Sequence, residues 1–124
     1  MNSLIYVMAG GAVGAGARHL TGRAMLSLFG PDNPYGTLGV NLIGGLLMGL
    51  LVGTLARTGG SETWRLLLGV GVLGGFTTFS SFSLDVVTLI ERGALPTALG
   101  YILVSVIGSI LALFAGLSLV RTTA

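Results

Sequence analysis

The residues best able to do chemistry lie between Gly74 and Phe82, where the chain reads GGFTTFSSF. This run holds three phenylalanines and four hydroxyl groups within a segment that is otherwise apolar enough to lie in lipid. Because an unpaired hydroxyl or a loosened backbone is costly in the bilayer core, such groups usually face a water-filled or ligand-lined path. The run therefore predicts a conduction site.

A second polar group is on a face of the predicted second helix. Asn41 shares that face with Gly45, Gly49 and Gly53, because the four residues follow one another at four-residue spacing. Small residues at this spacing pack against other helices, so Asn41 is expected to point toward protein. Its amide can donate a hydrogen bond to an anion or accept one from a neighbour. The alternative is that it only joins two helices.

Hydroxyl groups form a similar stripe on the predicted fourth helix, at Tyr101, Ser105 and Ser109. Phe79 and Phe82 are three residues apart and so share one helical face. Aromatic edges carry the positive part of the ring quadrupole and can face an anion, although ordinary helix packing is the alternative. Since the predicted deep positions hold no lysine and no carboxylate, the pattern argues against a cation relay.

The composition predicts an all-α membrane protein. Hydrophobic residues make up 52% of the 124 residues and charged residues only 8%, whereas soluble domains carry about 25% charged residues. Uncharged windows at 1–17, 33–56, 66–84 and 93–120 each approach the length of a spanning helix. We therefore expect residues 1–124 to form a single transmembrane domain of four helices. Their expected bounds are about 3–29, 34–56, 62–90 and 95–121.

The arginines are balanced between the two ends of this four-helix topology. Arg57, Arg65 and Arg121 fall at the end that holds the amino terminus, and the remaining three fall at or toward the other end. Insertion normally follows an excess of Lys and Arg on the cytoplasmic side. A balanced chain therefore favours both orientations and an antiparallel, dual-topology homodimer, the alternative being balance by chance. The net charge of +2 is too small to indicate nucleic-acid binding.

The third helix is expected to break near its middle. Gly74 and Gly75 lie near the midpoint of the 66–90 segment and are followed by three poor helix formers. A break leaves unpaired carbonyls and amides, from which membrane proteins build ion sites. An unbroken helix with a glycine packing face is the alternative.

Four sequence blocks together resemble one known family. The blocks are GGAVGAGARH at 10–19, GTLGVNLIGG at 36–45, GGFTTFSSF at 74–82, and Tyr101 with its serine stripe. In this order they resemble the Fluc family of small fluoride channels, also called CrcB proteins. The likeness covers essentially the whole chain, and the third block is the most specific.

The resemblance implies an antiparallel homodimer with two pores that passively exports fluoride across the cell inner membrane, as a multi-pass protein. It also implies that the asparagine of the second block and the two phenylalanines of the third line the pore. The implied pore residues are Asn41, Thr78, Phe79, Ser80, Phe82, Tyr101, Ser105 and Ser109.

A structural sodium ion at the dimer centre is also implied, held by the main-chain carbonyls of Gly74 and Thr77 in each subunit. No organic cofactor is expected. Arg18 matches the arginine that ends the first block, and it either ties helices together or attracts anions at a vestibule. His19 stands where the family often has an aromatic residue, which leaves any contact of that side chain open.

Other classes of function fit less well. A small proton-coupled multidrug exporter of dual topology would need a titratable group in the membrane, typically a glutamate in the first helix. Residues 1–17 contain no carboxylate, and Asp85 is the only acid inside a predicted span. A noncatalytic assembly subunit would explain the glycines but not the clustered Phe, Thr and Ser residues. With one histidine and no cysteine, a nucleophile and base pair for an enzyme is not available.

Overall fold

A computed structural model describes residues 2–30 and 34–122 of the chain, and no strand occurs in these ranges. Five helical elements follow one another with short connections. They are α1 (Asn2–Phe29), α2 (Tyr35–Thr58), α3, α4 (Phe79–Glu91) and α5 (Leu95–Thr122). Helix α3 consists of Glu62–Trp64, a π-helical stretch Arg65–Leu73, and Gly74–Phe76. The expectation of an all-helical chain is confirmed within the described residues.

Three stretches are long and apolar enough to cross a membrane: Tyr35–Thr58, Glu62–Glu91 and Leu95–Thr122. The second of these contains both α3 and α4. Helix α1 has 28 residues but is not among the three, and its carboxyl-terminal half carries Arg18 and Arg23. The chain is therefore a multi-pass membrane protein in which α1 is the least lipid-like of the long helices.

Glycines let α2 and α5 approach each other closely. A Cβ atom placed on Gly45 would lie 2.7 Å from the carbonyl oxygen of Ser109, and one on Gly49 would overlap the carbonyl of Leu113. From the other side, a Cβ on Gly116 would overlap the carbonyl of Leu46. The four-residue glycine spacing of α2 thus predicts this interface correctly, since only glycine leaves room for backbone contact.

A second close interface joins α1 to α3. A Cβ on Gly71 would lie 2.9 Å from the Cα atom of Gly10, and one on Gly75 would lie 2.6 Å from the carbonyl oxygen of Gly11. Gly75 therefore allows α1 and α3 to pack closely, and it does not mark a turn of the chain.

The break in the third membrane segment lies at Thr77 and Thr78, beyond the glycine pair. Thr77 has φ −84° and ψ 159°, and Thr78 has φ −152° and ψ 125°, both extended. Gly74 is still helical. The expected break near the middle of the segment is therefore present, and it lies at the poor helix formers that follow the glycine pair, not at the glycines themselves. Asn41 and the Thr78 hydroxyl, described below, pair with the opened backbone here.

Substitution of Gly49 tests the α2–α5 contact. We expect Gly49→Ala to lower the stability of the folded protein by about 1–3 kcal/mol, because the added methyl group must force two backbones apart. The midpoint of thermal unfolding in detergent measures this loss. Gly39→Ala on the same helix is the matched control, since its Cβ would meet only a flexible Met25 methyl group at 3.7 Å. Equal midpoints for the two variants would contradict the prediction.

Candidate functional site

The side chain of Asn41 pairs with the main chain of Thr78 at the break. Asn41 Nδ2 donates to the Thr78 carbonyl at 3.1 Å, and the Thr78 amide donates to Asn41 Oδ1 at 2.9 Å. Both hydrogen bonds join α2 to the point where α3 ends and α4 begins. We call this reciprocal pair the Asn41–Thr78 clasp. It fits the helix-joining interpretation of Asn41 and leaves one N–H of its amide group for another acceptor.

Threonine hydroxyls satisfy further backbone groups on both sides of the break. Thr77 Oγ1 donates to the Leu73 carbonyl at 3.0 Å, which is within the end of α3. Thr78 Oγ1 accepts the Ser81 amide at 3.2 Å and so caps the amino terminus of α4. Such a cap contributes about 1 kcal/mol to helix stability. The Leu73 carbonyl also accepts the Thr77 amide, so of the two hydroxyls it is that of Thr78 that pairs a backbone group opened by the break.

Arg18 donates a hydrogen bond to one of the main-chain carbonyls next to the break. Its Nε donates to the Gly75 carbonyl at 3.1 Å, which joins α1 to the end of α3. This contact fits the interpretation of Arg18 as a tie between helices. The guanidinium retains its Nη groups for other acceptors, since this bond uses only Nε.

A groove of about 460 Å³ opens between α2, the break and α5. Its walls combine few polar groups with many apolar ones, and its lining includes Asn41, Thr77, Thr78, Phe79, Phe82, Ser105 and Ser109. Six of the eight predicted pore residues thus face one space, although they come from three separate helices. Ser80 and Tyr101 do not line the groove.

Aromatic rings connect the groove to its surroundings. The ring centroids of Phe79 and Phe82 are 5.5 Å apart, and those of Phe82 and Tyr101 are 5.3 Å apart. Phe79 is 76% exposed in the single subunit. The three rings form a row, so the predicted neighbourhood of Tyr101 and the phenylalanines is confirmed, and Phe79 is its open end.

Tyr101 meets a partner that sequence reasoning missed. Its hydroxyl donates to Asp85 Oδ2 at 2.9 Å, and its side chain is buried between α4 and α5. The two residues are sixteen positions apart, so no local pattern indicates their contact. The only acid within a predicted span is therefore held by a hydrogen bond outside the groove.

Ser105 has an unusual environment within the groove. The residue is 5% exposed, and its Oγ makes no hydrogen bond in the part of the chain that is described. A buried hydroxyl without a partner is uncommon in proteins. Ser105 is thus an available donor facing the groove.

A second cavity, of about 290 Å³, also meets the break at Thr78. We call it the basic chamber, because Arg18, His19 and Arg23 of α1 line it. Hydroxyl-bearing residues of the other helices complete the wall, namely Thr37, Thr78 and Ser81. Sequence reasoning singled out only Arg18 as a vestibule residue, and it missed the chamber because its walls come from distant parts of the chain.

Metal-binding side chains do not cluster anywhere in residues 2–30 and 34–122, where no group of three or more His, Cys, Asp or Glu residues could hold an ion.

These features define a small multi-pass membrane protein with an uncharged polar site at a broken helix. The sequence profile of the CrcB-like protein, camphor resistance (CrcB) family matches residues 5–117. The chain belongs to this family.

Three relatives match over nearly their full length, and each is named fluoride-specific ion channel FluC. The one from Sphingopyxis alaskensis is 61% identical over 122 residues, which cover 98% of this chain and 97% of the relative. The one from Mesorhizobium japonicum is 54% identical over 98% of both chains. The one from Novosphingobium aromaticivorans is 48% identical over the whole of both chains.

Removal of the Tyr101 hydroxyl tests the contact with Asp85. We expect Tyr101→Phe to lower stability by about 1–3 kcal/mol, since it leaves a partly buried carboxyl oxygen unpaired. Thermal unfolding in detergent measures the loss. In the Asp85→Asn background the same substitution is expected to have a smaller effect, because the partner is already altered. Strictly additive losses would show that the two side chains do not interact.

Proposed function

We propose that this protein is a passive, fluoride-selective channel that carries fluoride out of the cytoplasm through the cell inner membrane. The observation that carries the proposal is the groove, which gathers an amide, several hydroxyls and two phenylalanine rings without any charged side chain. Sequence identities of 61% and 54%, each over 98% of this chain, to relatives named fluoride-specific ion channel FluC support the same conclusion.

The lining of the groove suits a small and strongly hydrated anion. Such an ion leaves water only when many donors replace its hydration shell, as carbonyl oxygens do for cations in other channels. Ser105 and Ser109 offer hydroxyl donors, Asn41 has one uncommitted N–H, and the edges of Phe79 and Phe82 are weakly positive. Several weak donors let an anion enter and also leave the groove. A positively charged side chain in the groove would instead bind the anion and slow its release.

A second copy of the chain completes the pore. Phe79 is 76% exposed at the open side of the groove, and an aromatic ring that belongs to a pore needs a facing wall. Two-fold symmetry gives each dimer two equivalent grooves and hence two pores. The even distribution of arginines between the two ends supports an antiparallel arrangement, because neither orientation is favoured on insertion.

Main-chain carbonyls at the break suit a structural sodium ion at the dimer centre. In an unbroken helix the amide of Thr78 would reach the Gly74 carbonyl, but it donates to Asn41 instead. The Ser81 amide, which would reach the Thr77 carbonyl, donates to Thr78 Oγ1. Both carbonyls thus lose their helical donors, and Gly74 is exposed on the single subunit. Hard cations bind such oxygens, and the ion would join the two subunits.

Proton-coupled drug export is not favoured. Asp85 does not line the groove, and its carboxyl group accepts the Tyr101 hydroxyl. An exporter of that kind needs its titratable group in contact with the transported molecule.

Selective flux is the direct test of the proposal. Liposomes that contain the purified protein and are loaded with potassium fluoride should release fluoride after a potassium ionophore is added, because uncharged donors replace the hydration shell of this ion. Liposomes loaded with potassium chloride should retain their halide. Ion-selective electrodes measure both. Equal chloride release would refute selectivity, and release that depends on a proton gradient would refute passive conduction.

The phenylalanine pair can be tested in the same assay. The double variant Phe79→Leu, Phe82→Leu keeps apolar bulk but loses both aromatic edges, so we expect fluoride release to fall to the level of protein-free liposomes. Phe114→Leu is the matched control, since Phe114 is exposed on α5 outside the groove. Gel filtration should give the same dimer for both variants. Flux at the wild-type level in the double variant would show that the two rings only pack and do not contribute to conduction.

Sodium dependence of the dimer tests the ion site without measuring transport. We expect subunits labelled with two fluorophores to exchange faster when N-methylglucamine replaces sodium, because the carbonyls of Gly74 and Thr77 then face each other without a cation. Potassium serves as the comparison for ion size. The same exchange rate in sodium and in N-methylglucamine would exclude a structural sodium ion.

A further inference from the structure

Thr78 lines both the basic chamber and the groove. The two cavities meet the break at this residue and are otherwise lined by different residues. Arg18, His19 and Arg23 contribute to the basic chamber alone, whereas Phe79 contributes to the groove alone. An ion that passed from the charged cavity to the uncharged one would therefore pass Thr78.

The position of Thr78 depends on Asn41. Residues in an extended conformation between two helices lack the helical hydrogen bonds that would fix them. The Asn41–Thr78 clasp supplies both missing bonds, since one amide group donates to the Thr78 carbonyl and accepts from the Thr78 amide. The Thr78 side chain takes no part in the clasp. The clasp therefore fixes the backbone from which this side chain extends, without using its hydroxyl group.

The hydroxyl of Thr78 can still donate a hydrogen bond. Its oxygen accepts the Ser81 amide at 3.2 Å, and it shares a 3.3 Å hydrogen bond with Ser80 Oγ, in which either hydroxyl can be the donor. Because the oxygen serves as acceptor for the helix cap, its own proton is directed away from the Ser81 amide. That proton is the donor that an anion would meet between the two cavities.

We propose that Asn41 is a positioning residue for Thr78, and that the Thr78 hydroxyl is the point at which the anion crosses from the basic chamber into the groove. This inference rests on the proposed channel function. It assigns Asn41 a role through the backbone of Thr78, in addition to any contact of its own with the ion.

The clasp is tested by hydrogen exchange of the Thr78 amide, followed by NMR of the uniformly ¹⁵N-labelled dimer in detergent micelles. We expect Asn41→Ala to speed this exchange about tenfold or more, since loss of one hydrogen bond changes a local opening equilibrium by about that factor. Asn41→Asp should keep the amide protected, because its carboxylate still accepts from Thr78. Met48→Leu, which changes the groove lining but not the clasp, is the matched control.

The hydroxyl is tested by fluoride release from liposomes. Thr78→Ser keeps the hydroxyl and should retain flux within about twofold of wild type, whereas Thr78→Val keeps the main-chain clasp and should lose flux. Protection of the main-chain amide at position 78 in the second variant shows that the clasp is still closed. Together, rapid exchange in Asn41→Ala and lost flux in Thr78→Val would support the proposal.

Three results would overturn it: unchanged Thr78 exchange in Asn41→Ala, exchange in Asn41→Asp as fast as in Asn41→Ala, or full flux through Thr78→Val with the clasp intact. Absence of fluoride flux in the wild type would refute the proposed channel function. The exchange measurement would then still decide whether Asn41 positions Thr78.

Discussion

An opened backbone inside a membrane protein must find new partners for its polar groups, and this requirement governs the centre of the molecule. In lipid, each unpaired amide or carbonyl costs on the order of several kcal/mol. This is a large fraction of the total free energy of unfolding of a small protein. Here Asn41 of α2, Arg18 of α1 and the Thr78 hydroxyl at the break itself supply those partners. The break can therefore exist only where these helices meet.

Close helix packing makes that meeting possible. Glycines on α1, α2, α3 and α5 allow backbone to touch backbone, so that the side chains of Asn41 and Arg18 reach the main chain of the third membrane segment at about 3 Å. A single methyl group at Gly75 would meet α1 and displace the carbonyl that Arg18 binds. The abundance of glycine is thus linked to the site as well as to the fold.

Charge is separated from the uncharged donors at the break. Arg18, His19 and Arg23 line one cavity, while the other presents amide, hydroxyl and aromatic groups without a formal charge. A cationic cavity attracts anions of every kind, because Coulomb attraction does not distinguish them at similar charge. Discrimination needs a site that replaces water by fixed donors, and under the proposed function the groove is that site. Attraction and selection would then occur in neighbouring spaces that share Thr78.

The sequence by itself determined the membrane class, the long helices, the glycine packing faces and the polar and aromatic residues of the groove, because hydropathy, four-residue spacing and the GGFTTFSSF run are all local signals. Only the tertiary structure decided the rest. It placed the break at Thr77 and Thr78 rather than at the glycine pair, where Asn41 and the Thr78 hydroxyl pair with the opened backbone. It also brought Tyr101 to Asp85 and assembled the basic chamber, because contacts between separate helices depend on how the helices pack.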